Sequence, residues 1–314
     1  MTGYLERSRC ARIASPAPLL IFYFALLYFI QYLSDFIYFI AFLGGFCAIL
    51  YWVSTNAEFV KNADQVNEAK QVGYLTALPQ ISAVAAPLLG AFLLFQLGFS
   101  VVFMIVMALI VISQVPFLLT ADYKEKFSLK MKPSWLMLDR RFFAFFIVQG
   151  AIFANDFLLW NMFVYQKFGL ISTGLSATFY GAGMAVFTLF VGKACINPAR
   201  RRNMLIYGAL GYTLTCIIRL FIYTPMEAML TSMLAGIFTT IISVPIYVEF
   251  CDSAKKGSIL NWVVFRDFWL GAGKVVFIIS ATIALLFSTQ NFWIGFEIAG
   301  MFSMLLVFLA LYKK

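Results

Sequence analysis

The amino-acid sequence predicts an all-α polytopic membrane protein with about ten transmembrane helices in two bundles, four and then six. Three observations carry this prediction: composition, the spacing of apolar stretches, and the placement of charge. The chain is 63% hydrophobic and 12% charged, with a mean hydropathy of +0.90. Soluble domains carry about 25% charged residues, and no soluble core could bury this much apolar surface. Ten apolar stretches of roughly spanning length occur, at 17–33, 36–54, 73–95, 99–119, 142–166, 173–192, 203–223, 227–248, 263–287 and 292–312. If alternate loops lie on opposite sides, the side of the N-terminus holds 20 of the 23 Lys and Arg. The loops of the other side hold only Lys167. By the positive-inside rule, both termini then face the cytoplasm, and the plasma membrane is the expected location.

The elements follow in order. MTGYLERSRCARIAS is polar and basic, and no small-x-small cleavage site marks it as a signal peptide. Ser34-Asp35 makes a tight turn between the first two spans, and Leu97-Gly98-Phe99 splits the third from the fourth. Residues 121–141 form the one long charge-dense segment. It divides an N-terminal bundle (1–120) from a C-terminal one (142–314), as a cytoplasmic linker.

The two parts echo each other. Trp52 to Phe95 runs hydrophobic helix, polar turn, hydrophobic helix, and so does Pro245 to Phe287. Glu58-Phe59 precedes Glu249-Phe250 by 191 residues, and Leu94-Phe95 precedes Leu286-Phe287 by 192. An offset that steady suggests two related halves, an arrangement in which a solute site lies at the interface between repeats.

Several function classes lose support. The chain has no His, so the commonest general base and metal ligand is missing. Its five cysteines are scattered without a CxxC pair, and neither a metal site nor a disulfide is expected. No phosphate-cradling loop occurs, and GAGK at Gly271–Lys274 is too short for one. The net charge of +9 is a topology signal rather than a nucleic-acid surface. No enzyme activity and no cofactor are expected.

Charges inside spans are the candidate site, because each costs about 2.5–3.5 kcal/mol at mid-helix on insertion scales. Asp156 sits near the middle of its span, and Gln149, Asp156, Trp160 and Phe163 share a helical face. Lys274 lies near mid-membrane, with Asp267 and Gly271 on nearly the same face. Asp156 and Lys274 are read as cavity residues that bind an ionic group of a solute or relay a proton. The other readings are a structural ion pair between them, a local pair with Asp267, or a snorkelling lysine. Arg219 and Glu297 lie towards the outer ends of their helices, where structural or interfacial roles are expected. Glu58 and Glu249 occupy equivalent inner helix ends.

Two bundles, a basic linker and inward termini resemble the major facilitator superfamily, if the first helix here matches that family's third. SAVAAPLLGA, from Ser82 to Ala91, is similar to the family's fifth-helix motif gxxxGPxxGG. Pro87 and Gly90 are kept, while Ser82, Ala86 and Ala91 stand where Gly is usual. GKACINPARRR, from Gly192 to Arg202, is similar to the loop motif G-x3-D-[RK]-x-G-R-[RK]. Gly192, Arg200 and Arg201 match, whereas Ile196 replaces the Asp that anchors a charge relay, and Asn197 and Ala199 also depart.

The resemblance implies a secondary transporter that moves a small solute by alternating access, with proton coupling as one version. It also implies packing or gating roles for these motifs and a cavity-lining role for the Asp156 stripe. The family's twelve helices leave two without a counterpart here. A truncated chain, a bundle completed by a homodimer or helix-donating partner, and a non-transporting scaffold are all compatible with that.

Overall fold

A computed structural model describes residues 17–30, 32–62, 68–113, 140–255, 259–287 and 292–311. No strand occurs among the described residues. In order, the helices are α1 (Ala17–Tyr28), α2 (Ile37–Asn62), α3 (Glu68–Ser113), α4 (Arg140–Ala154), α5 (Trp160–Ala194) and α6 (Pro198–Ile218). They continue with α7 (Pro225–Ala254), α8 (Ile259–Phe287) and α9 (Trp293–Leu311). A π-helical turn, Asn155–Leu159, joins α4 to α5, and a 3₁₀ turn, Arg219–Phe221, ends α6.

Two of these helices are double spans. At 46 residues, α3 would run about 69 Å if straight, more than twice the roughly 30 Å hydrocarbon core. It is broken at Gly98, where φ is 77° and ψ is 171°. A side chain would resist that conformation, which glycine adopts freely. Gly169 (φ 84°) breaks α5 in the same way, so the turn falls between the predicted spans 142–166 and 173–192. Counted this way, the described helices provide ten apolar segments, in agreement with the sequence. Most of the 121–141 linker lies outside the described residues.

Local chemistry sets the helix starts. Asn197 caps α6 by accepting from the Ala199 N–H at 3.0 Å, and Pro198 follows at the first helical position. Thr224 caps α7 in a reciprocal box: its Oγ1 accepts from the Glu227 N–H, and Glu227 accepts from the Thr224 N–H at 3.0 Å.

Tertiary packing rests on glycine. A Cβ on Gly150 of α4 would strike the Leu270 carbonyl of α8, and one on Gly273 would strike the Ile147 carbonyl in return. Gly183 of α5 and Gly236 of α7 meet the Met233 and Tyr180 carbonyls in the same reciprocal way. Lipid tails are as apolar as leucine, so the hydrophobic effect does not hold spans together. Close backbone approach and interhelical hydrogen bonds do. Ser303 of α9 adds one such bond to the Ala209 carbonyl of α6, at 2.9 Å.

Burial is uneven. The continuous core lies in α4–α9, around Phe146, Phe250, Phe265, Phe277 and Phe296. In α1–α3, only Ala17, Ile40, Leu43, Cys47, Asn56 and Ala91 are buried among the described residues. The small-residue motif is used within the chain. A Cβ on Gly174 of α5 would fall 2.6 Å from the Ala91 methyl and 3.0 Å from the Pro87 carbonyl oxygen. Pro87 and Ala91 therefore pack against α5 of the same chain. Gly90 itself faces open space.

Candidate functional site

The π turn governs the first polar cluster. Its wider winding puts Asn155 and Asp156 inside the bundle while Phe157 and Leu158 stay exposed. Such turns recur at functional sites in other helices. Asp156 Oδ1 accepts from Arg219 Nη1 at 2.8 Å and from the Tyr212 hydroxyl at 2.9 Å. Its Oδ2 accepts from the Thr239 hydroxyl at 3.2 Å. Asn155 Nδ2 donates to Tyr212 Oη at 2.9 Å, which fixes that ring from the other side. The side chains of Arg219 and Asp156 are 0% and 1% exposed, so this pair is sealed from both water and lipid.

Trp160 forms the lid. The Arg219 guanidinium lies 4.2 Å from its ring centroid, and its Nε1 donates to Ser232 at 2.7 Å and Ser176 at 3.1 Å. Phe163 and Phe296 close around the indole with centroids 5.5 and 5.6 Å away. Arg219 Nε and Nη2 have no hydrogen-bond partner, nor has Gln149 Oε1. The guanidinium therefore depends on one carboxylate and one ring.

This geometry corrects the expected pairing. Of the alternatives for Asp156, the ion pair with Lys274 is not formed; its cation is Arg219. All four residues of the Gln149, Asp156, Trp160 and Phe163 stripe are buried. Lys274 is exposed on α8 and makes no hydrogen bond or ion pair among the described residues. Asp267, one of its candidate partners, is bonded to Arg266 at 2.8 Å and also lies close enough to attract Lys274 electrostatically.

A second cluster lies where α2 ends and α8 begins, the end of the bundle that carries the basic loops. Tyr247 of α7 donates to Asn56 Oδ1 of α2 at 2.8 Å, and both residues are buried. Phe59 lies 6.0 Å from the Tyr247 ring, and the Arg266 guanidinium lies 5.0 Å from it. Asn56 and Tyr247 are 191 residues apart, the same offset as Glu58 and Glu249. Equivalent positions of the two echoed segments therefore touch each other. Only residues next to a pseudo-twofold axis can do that. The side chain of Glu58 is outside the described residues, and Glu249 is half-buried.

The Gly192–Arg202 loop sits at the same end. Arg201 Nη1 pairs with Asp252 at 2.6 Å and its Nε donates to the Cys195 carbonyl at 2.8 Å. Arg201 thus ties this loop to the end of α7 although Ile196 has replaced the motif's acid. Burial pushes the neighbouring Cys195 thiol up to about 11. Gly192 is buried and Arg200 is exposed. The residues that sequence reasoning missed are Arg219 as the partner, with Tyr212 and Thr239, and the Asn56–Tyr247 contact. The repeat offset carried a signal for the last of these.

Comparison with known proteins agrees with this architecture. A crystal structure of FucP, a major facilitator superfamily transporter in the outward conformation, superposes with a TM-score of 0.67 at 12% identity. The match covers 95% of this chain and 81% of that one. A search of curated proteins returns no match. The sequence model of the Major Facilitator Superfamily matches residues 5–257. With ten apolar helical segments, halves that touch at equivalent positions and a family match over most of its length, the chain is an integral multi-pass membrane protein that belongs to the major facilitator superfamily of transporters.

Proposed function

We propose that the protein is a secondary active transporter that carries a small solute across the bilayer by alternating access, its two halves rocking about the axis at Asn56 and Tyr247. The contact between positions 191 residues apart carries this reading. With the basic end cytoplasmic, as the loop charges imply, α2 meets α7 and α8 on the cytoplasmic side. The Asn56–Tyr247 bond then holds the cytoplasmic gate closed, while the Arg201–Asp252 pair stiffens the six-helix half beside it.

Lys274 is the solute-facing charge in this reading. A cation near mid-span does not face lipid by default; it faces a cavity or a partner. Asp156 already has Arg219, so Lys274 is available for an anionic group on the solute. The sealed Asp156–Arg219 cluster acts as a brace of the six-helix half.

The test uses proteoliposomes and a panel of organic acids, sugars and amines. Cysteines at positions 56 and 247 should be bridged by a short bis-methanethiosulfonate reagent that spans the length of the tyrosine, which should stop uptake, and reductant should restore it. Uptake that continues in fully cross-linked protein would contradict the gate. Lys274→Gln should depress uptake of acids at least about tenfold with an unchanged melting temperature, the loss of one charge-assisted hydrogen bond. Unchanged uptake would remove Lys274 from the site.

A further inference from the structure

On the outer surface of the bundle, α6 and α9 leave a crevice of about 330 Å³ between them. Its floor is Cys216, Leu220 and Gly300, and one wall is a stripe of α9: Glu297, Met301, Met304, Leu305 and Phe308. These five fall at i, i+4, i+7, i+8 and i+11, so they form one continuous face. Ile217, Met301, Leu305 and Phe308 are exposed apolar side chains on a spanning helix, which makes this a lipid-facing groove. At its mouth stands the Glu297 carboxylate, exposed and without a hydrogen bond or ion pair among the described residues.

Among the described residues no cation serves this carboxylate. Arg219 is committed to Asp156 behind the floor, and Lys167 donates to the Ile222 carbonyl. Glu297 lies four residues into α9, about 6 Å along the axis from the exposed Trp293. Aromatic residues of that kind sit at headgroup level, so the carboxylate is within reach of a headgroup while the stripe below it runs into the hydrocarbon.

We propose that this crevice holds one phospholipid with a primary-ammonium headgroup. The ammonium binds Glu297, and one acyl chain lies along Met301, Met304 and Phe308. A lipid tail gains little from apolar contact alone in a bilayer, so the groove fixes the chain while the charge selects the headgroup. A primary ammonium donates charge-assisted hydrogen bonds to the carboxylate. A quaternary choline has no N–H to donate, and an anionic headgroup is repelled.

Native mass spectrometry of the full chain, delipidated in detergent, tests this. It would be titrated with phosphatidylethanolamine, phosphatidylcholine and phosphatidylglycerol of identical chains. Phosphatidylethanolamine should bind at least about tenfold more tightly than either of the others. Glu297→Gln should bring it down to the phosphatidylcholine level without changing the melting temperature in lipid-free detergent. Met301→Trp, which fills the groove, should weaken all three lipids together. Equal binding of the three by the unmodified protein, a headgroup preference that survives Glu297→Gln, or a Met301→Trp variant with undiminished binding would each overturn the proposal. So would a dimer that excludes lipid from this face.

Discussion

Asp156→Asn should destabilise the folded protein by about 3–5 kcal/mol, because it strands a buried guanidinium. The amide oxygen can still accept from Tyr212 and the amide NH2 can donate to the Thr239 hydroxyl, so little changes except charge. Arg219 already has Nε and Nη2 unpartnered among the described residues, and its side chain is fully buried. Nothing remains to balance it but the Trp160 ring. Replacing both members with apolar residues of similar volume, as in Asp156→Leu with Arg219→Met, should recover most of the loss. The pairing of Asp156 with Arg219 predicts this rescue. Neutralising Lys274 instead should rescue nothing. Melting temperatures of the single and double variants in mild detergent decide the matter. A double variant no more stable than Asp156→Asn would show that the cluster does not act as a pair.

Trp160→Ala should cost a similar amount, about 3–5 kcal/mol, through the cavity left by a fully packed indole. It also removes the hydrogen bonds to Ser232 and Ser176 and uncovers the face of Arg219. Trp160→Phe keeps a six-membered ring against Phe163 and Phe296 but loses the N–H and the rest of the indole. Its cost should fall to about 2 kcal/mol, the net worth of an ordinary hydrogen bond plus a small cavity. Equal melting temperatures for the two variants would show that the indole N–H, rather than the ring, holds this site.

The spans were legible because a bilayer imposes a length and a polarity that any sequence must display. The turn at Gly98 was readable from a glycine between two apolar runs, and the structure breaks α3 there. The repeat offset was readable too, and it reappears as the Asn56–Tyr247 contact. The partner of Asp156 was not. Sequence depth is counted at Cα atoms along regular helices, and two features here defeat that count. The π turn at Asn155–Leu159 shifts the register of everything after it, and the 3₁₀ turn at Arg219–Phe221 tightens the end of α6. A long arginine side chain also delivers its charge well away from its own Cα. Arg219 therefore reads as peripheral in sequence while its guanidinium lies in the core. The small-residue face at Pro87–Ala91 was recognised as a packing surface, but only the fold could show that Gly174 of the same chain occupies it.

The rocking of two halves about the Asn56–Tyr247 axis is tested most directly by double electron–electron resonance in lipid nanodiscs. One pair of spin labels would sit at the basic end, on positions 62 and 255. A second pair would sit at the opposite end, on positions 99 and 226. Alternating access predicts two distance populations for each pair, with the short population at one end accompanying the long one at the other. Cross-linking cysteines at 56 and 247 should leave only the short distance at the basic end and the long one opposite. A single distance at both ends, unchanged by the cross-link, would contradict it.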